Sequence, residues 1–118
     1  MTPRVEFLWW EGCPSHERAL ADVRDAMDEA GLDPASVEVR QVATEDDAQR
    51  ERFIGSPTIR VNGRDVQPAD ESEEAGLTCR LYRLRDGRAS PAPDPADLRD
   101  ALAAAIDKRE ISKGVTDA

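Results

Sequence analysis

Cys13 and Cys79 are the only cysteines in the chain, and His16 is its only histidine. Cys13 and His16 share one short stretch, EGCPSH, residues 11–16. A thiol acts as a nucleophile or soft-metal ligand as its thiolate. That form is favoured at the start of a helix, where unpaired backbone N–H groups and the helix dipole stabilise negative charge. Pro14 suits a first helical position, where its missing N–H has no partner to lose. Cys13 is therefore expected at a helix N-cap, with Glu11 opposing the thiolate through like charge. His16, three residues on, shares a helical face with Cys13. It can stabilise the thiolate when protonated or pass a proton to a leaving group, or simply stand exposed in the first turn. Ser15 reads as a first-turn residue. The plainer alternative for Cys13 is a small buried apolar residue, a common fate of free cysteine.

These residues need elements to hold them. RVEFLWW, residues 4–10, is short, β-branched and aromatic and runs into Gly-Cys-Pro, as a buried strand ending in a turn would. Trp9 and Trp10 then fall on opposite faces, and Trp10 is a candidate to line a substrate groove. Leu20, Val23, Met27 and Ala30 recur at helical spacing, and Gly31 supplies a stop. SVEVRQV, 36–42, alternates Val37, Val39 and Gln41 against Glu38, Arg40 and Val42 and reads as a second strand. Thr44 caps a short helix whose first turn is acidic. Thr58–Val61 and 64–67 flank Asn62-Gly63, a two-residue hairpin turn. Asp94 caps a last helix that carries Leu98, Leu102, Ala105 and Ile106 on one face. The order is β-α-β-α-β-β-α, an α/β domain over residues 1–108 with an insertion at about 69–90 and a flexible tail over 109–118. The βαβ start predicts parallel pairing of the first two strands, and the hairpin adds antiparallel ones.

The net charge of −9 gives no basic field for nucleic acid or an anionic membrane. The longest apolar run, Phe7 to Trp10, is too short for a bilayer span or a secretory signal. The expectation is a cytoplasmic protein with no nucleic-acid or membrane partner. Acidic clusters at Glu45–Asp47 and Asp70–Glu74 read as a helix cap and a solvated loop, and no ligand set for a structural metal is expected. Oligomeric state is not readable.

Two stretches resemble one family. GCPSH after the first strand is similar to the GCPYC of glutaredoxins and other thioredoxin-fold proteins, and GSPTIRVNGRDV is similar to their cis-proline strand and hairpin. The resemblance covers about residues 4–68 and the last helix. It implies a thioredoxin-like fold with a mixed four-stranded sheet, and a thiol–disulfide oxidoreductase with Cys13 as nucleophile. It further implies that Ser56, Pro57, Pro14 and Trp10 contact a small or protein thiol or disulfide. No cofactor is implied beyond glutathione or another low-molecular-weight thiol as co-substrate. Pro57 would be the cis-proline facing the sulfur, the alternative being a trans proline that merely starts a strand. His16 stands where the family's resolving cysteine sits. If the strand after Pro57 runs away from the site, its hairpin partner returns toward it by about Pro68, and the insertion then begins near Cys13. Leu77, Cys79 and Leu81 alternate with Thr78, Arg80 and Tyr82 as in an extra strand. Cys79 then becomes either the resolving thiol or an edge-strand core residue. The cysteine spacing also resembles that of organomercurial lyases, where two thiolates hold mercury and an acid three residues after the first cysteine protonates carbon. The further alternatives are thus alkylmercury lyase-like or soft-metal handling by Cys13 and Cys79, and a non-catalytic binding module of the same fold.

Overall fold

The computed structural model describes residues 3–14, 16–67 and 74–117, with side chains described as far as Ile106. Ser15 and residues 68–73, which include the start of the insertion and most of the Asp70–Glu74 cluster, lie outside the described residues. The elements are β1 (Val5–Trp9), α1 (His16–Glu29), β2 (Glu38–Gln41), α2 (Glu45–Glu51), β3 (Thr58–Val61), β4 (Arg64–Asp65), β5 (Tyr82–Arg83), β6 (Ala89–Ser90) and α3 (Pro95–Asp117), with a 3₁₀ turn at Pro34–Ser36. The first four expected strands form one mixed sheet in the order β2-β1-β3-β4. β1 runs parallel to β2 and antiparallel to β3, and β4 is antiparallel to β3.

Alternation along β1 builds two cores. Val5 and Phe7 face α1 and α3, where they bury with Val23, Met27, Ile59, Leu98 and Leu102, and Trp9 packs at the margin. Leu8 faces the other way, into Val42, Ala48 and Phe53, with Trp10 and Leu77 packed beside them. Full burial of side chains such as Phe7, Leu8 and Phe53 contributes about 1.5–3 kcal/mol each. The two tryptophans therefore divide between the faces, as expected. Glu6, on the central strand, is buried against Arg40 at 2.6 Å.

Local signals explain the connections. Thr44 Oγ1 accepts the Asp47 N–H at 3.1 Å and caps α2. Asn62 and Gly63 both take positive φ, 52° and 80°, which turns the chain tightly between strands that twist the right way. Asp94 accepts the Ala96 N–H at the start of α3.

The second strand departs from expectation. Val39 pairs with Phe7 but is 41 % exposed, because β2 is an edge strand outside the α1/α3 core. Val42, in the set opposite Val37 and Val39, is buried because α2 covers that second face. β4 is shorter than expected, ending at Asp65, whose carboxylate turns back to accept the Gln67 N–H. The chain beyond 108, expected as a tail, continues α3 through Asp117. Alanine, lysine, arginine, glutamate and isoleucine between residues 101 and 113 are compatible with that continuation.

Candidate functional site

The register Leu8↔Thr58 sets the end of β1 against the start of β3, so the loops 10–13 and 55–57 meet. Cys13 N–H donates to the Trp10 carbonyl at 3.0 Å, closing a turn after β1. Gly12 lets the Trp10 indole lie against this turn: a Cβ on it would stand 2.5 Å from the ring and displace it. The turn buries Cys13 to 1 % exposure and aims its S–H at the Ser56 carbonyl, 3.4 Å away. Because α1 starts at His16, Cys13 precedes the helix by three residues instead of capping it. The Trp10–Cys13 turn holds it in the preceding loop.

His16 Nδ1 lies 2.8 Å from the Cys13 carbonyl oxygen. A carbonyl only accepts, so Nδ1 carries a proton and donates it there. The imidazole face stacks on Trp9, with ring centroids 4.3 Å apart. Through Nδ1 and its ring face the side chain braces the loop that carries Cys13.

Ser56 is fully buried and joins every part of the site. Its Oγ accepts the Trp10 N–H at 3.0 Å. Its own N–H donates to the Thr78 carbonyl, and its carbonyl accepts the Arg80 N–H as well as the Cys13 S–H. The Ser56–Pro57 bond is cis, and Pro57 is buried beneath Tyr82, whose hydroxyl donates to the Pro57 carbonyl at 2.5 Å. Pro14 is exposed and Trp10 half-buried, so they edge the site.

The insertion closes over this loop as a strap. Gly76 N–H donates to the Phe53 carbonyl, and Gln49 Nε2 to the Ala75 carbonyl, which fastens the strap to the α2 side. Cys79 then bridges to Ser56 in parallel. On the other side Arg80, 7 % exposed, forks onto Asp65 at 2.6 and 3.0 Å, reaches the Gln67 carbonyl, and lies over the Tyr82 ring. Beyond it, β5 and β6 pair as a small hairpin. From Cys79 onward the strap's alternation is inverted relative to the apolar pattern. Arg80 and Tyr82 are buried, while Leu81 is 72 % exposed and Cys79 faces solvent. Arg80, Asp65, Tyr82 and Gly55 were not among the sequence candidates. Only Gly55, next to Ser-Pro, offered a signal.

The two thiols meet across Ser56. Partial burial first, then a hydrogen bond with Cys13 and the charge on Cys13, push the Cys79 thiol above its ordinary range. Alkylation of Cys79 should therefore rise with pH through a midpoint above about 8.5, the value of a free thiol. Cys13→Ser should lower that midpoint, because two of the three causes leave with the Cys13 sulfur. Peptide-resolved iodoacetamide labelling across pH checks this, and a midpoint at or below the free-thiol value in both proteins contradicts it.

Among the described residues, no group of three or more His, Cys, Asp or Glu side chains could hold a metal ion. The two thiols alone could offer a soft ion a pair of ligands. A groove of about 690 Å³ between the β3–β4 hairpin and α3 is lined by Asp65 but by neither cysteine. Among the described residues, no helix is long and apolar enough to cross a membrane. No family model matches the chain, and no curated protein or solved structure matches it significantly.

Proposed function

We propose that this chain is a thiol–disulfide oxidoreductase of thioredoxin-like architecture that cycles between a Cys13/Cys79 dithiol and an internal disulfide. The observation that carries the reading is the meeting of both thiols at one residue: Cys13 bonds the Ser56 carbonyl, and Cys79 pairs with the Ser56 backbone. Further support comes from the sheet order β2-β1-β3-β4, the cis bond before Pro57 beside the thiol, and the placing of α1 and α3 on one face with α2 on the other. A small or protein disulfide is the oxidant, and glutathione or another low-molecular-weight thiol the reductant. A reducing compartment such as the cytoplasm suits two resting free thiols.

The lyase-like reading asks for a proton donor beside the thiols. The Nδ1–H bond to the Cys13 carbonyl makes Nε2 of the neutral ring an acceptor, which favours redox chemistry over protonolysis of a carbon–metal bond.

Mild oxidation followed by thiol trapping and peptide mapping tests the proposal. One Cys13–Cys79 disulfide per chain is the expected product. Two free thiols, or cross-linking only between chains, would refute it.

A further inference from the structure

We infer that Cys79 is the thiol an external disulfide meets first and that Cys13 resolves the resulting mixed disulfide, reversing the order implied by the glutaredoxin resemblance. The inference rests on the proposed cysteine-pair chemistry and assigns its sequence of attack and its substrate class, small-molecule disulfides.

Access decides the order and outweighs the thiolate fraction. Partial burial, then the bond with and the charge on Cys13, keep the Cys79 thiol protonated to higher pH, yet a buried Cys13 thiolate has no room for an incoming disulfide. Thiol–disulfide exchange proceeds in line, so the attacked and attacking sulfurs need room for a whole substituent. Cys13 is 1 % exposed, enclosed by the Trp10–Cys13 turn and the Ser56 carbonyl. Placing a substituent on it requires lifting the strap. That motion breaks Ser56 N–H to Thr78 O, breaks Arg80 N–H to Ser56 O, and strains the fork on Asp65. Cys79 is exposed, and its bridge to Ser56 places it on the solvent side of the same residue that holds Cys13. A substituent on Cys79 can point to solvent while Cys13 approaches from the protein side.

The strap also limits the substrate. An extended peptide binds a loop edge by pairing with free backbone groups. The Ser56 N–H and carbonyl are already taken by Thr78 and Arg80 of the same chain. A small disulfide needs no such pairing.

The steps balance. The Cys79 thiolate attacks one sulfur of RSSR; the Cys79–SR bond forms, the RS–SR bond breaks, and RS⁻ leaves and takes up a proton. The Cys13 thiolate then attacks the Cys79 sulfur; the Cys13–Cys79 bond forms, the Cys79–SR bond breaks, and the second RS⁻ leaves and is protonated. Two protein thiols are oxidised, one external disulfide is reduced to two thiols, and the two protons come from the cysteines. Reduction runs in reverse, with external thiol attacking at Cys79.

The test uses bis(2-hydroxyethyl) disulfide, an uncharged probe that the net charge of −9 does not repel. A time course on the wild-type protein is acid-quenched, alkylated and mapped by peptide. The expected first adduct is on Cys79, followed by the internal disulfide at a rate independent of probe concentration. Cys13→Ser should accumulate one adduct on Cys79, and Cys79→Ser should react at least about tenfold more slowly than wild type. A first adduct on Cys13 in wild type, or Cys79→Ser reacting as fast as wild type, overturns the order while leaving the redox pair standing. A wild-type chain that never forms the internal disulfide removes the redox reading and the order with it. The wild-type time course decides the order even where a variant does not fold.

Discussion

Gly55→Ala should cost about 2–6 kcal/mol of folding stability and draw the two cysteines apart. Gly55 has φ of +150°, a conformation that side chains with a Cβ rarely adopt. A Cβ there would also stand 2.8 Å from Arg80 Cβ, 2.9 Å from its Cα and 3.0 Å from its backbone nitrogen. Two of these three atoms are backbone, so rotating a side chain cannot relieve the contact. Strained backbone and overpacking are each worth about 1–3 kcal/mol, which sets the range. The relief available is movement of the strap away from the Pro57 loop. That lengthens the Arg80 N–H to Ser56 carbonyl bond, 2.9 Å in the native chain, and carries Cys79 off Cys13. Urea unfolding should therefore show a lower midpoint, and oxidation by the uncharged probe should leave more free Cys13. A variant with wild-type midpoint and wild-type disulfide yield would show that the strap does not need its close approach at Gly55.

The same residue shows where sequence reasoning stops. The order of the main elements along the chain was legible because its signals are local. Asn62-Gly63 marks a turn, Thr44 and Asp94 mark helix starts, and periodicity separates strand from helix. The meeting of Cys13 and Cys79 was legible one step further, from the direction in which a hairpin must return. The chemistry around them was not. In the strap, Leu77, Cys79 and Leu81 form one alternating set and Thr78, Arg80 and Tyr82 the other. Apolarity favours burying the first set. The chain buries Arg80 and Tyr82 because Asp65, 15 residues earlier, neutralises the guanidinium, and the Pro57 carbonyl accepts the hydroxyl. A partner supplied by another element leaves no mark in local periodicity. Cys13 was likewise misplaced by its neighbour: Pro14 suits a first helical turn, yet the Cys13 N–H closes onto Trp10 and the helix begins at His16. The Ser56 hydroxyl is spent on Trp10 because the turn after β1 needs an acceptor for the Trp10 N–H, a demand that the Ser-Pro sequence does not announce.

Arg80→Met should lose about 3 kcal/mol, the lower part of the range for removing one partner from a buried ion pair. The lower part applies because Asp65 is 19 % exposed and recovers some hydration, whereas the Arg80 side chain is only 6 % exposed. Asp65 also keeps its bond from the Gln67 N–H. The Gln67 carbonyl, by contrast, loses the guanidinium, and Tyr82 loses the cation over its ring. Arg80→Lys keeps the charge but not the planar fork that meets both Asp65 oxygens and Gln67 together, so it should fall between wild type and Arg80→Met. Arg80→Met/Asp65→Leu removes both charges, and it should recover part of the loss if an orphaned carboxylate is the main cost. Urea midpoints for the four proteins measure this. A near-wild-type Arg80→Met would mean that the fork does not hold the strap. The cysteines report the same event chemically. With Arg80 gone, the strap keeps its attachment at 74–77 and loses its hold on β4, so Cys79 should drift from Cys13 and its alkylation midpoint should move down toward that of a free thiol. If stability falls while that midpoint stays high, Arg80 supports the fold without setting the distance between the thiols, and the placing of Cys79 must then reside in the Ser56 bridge and the Gly55 approach alone.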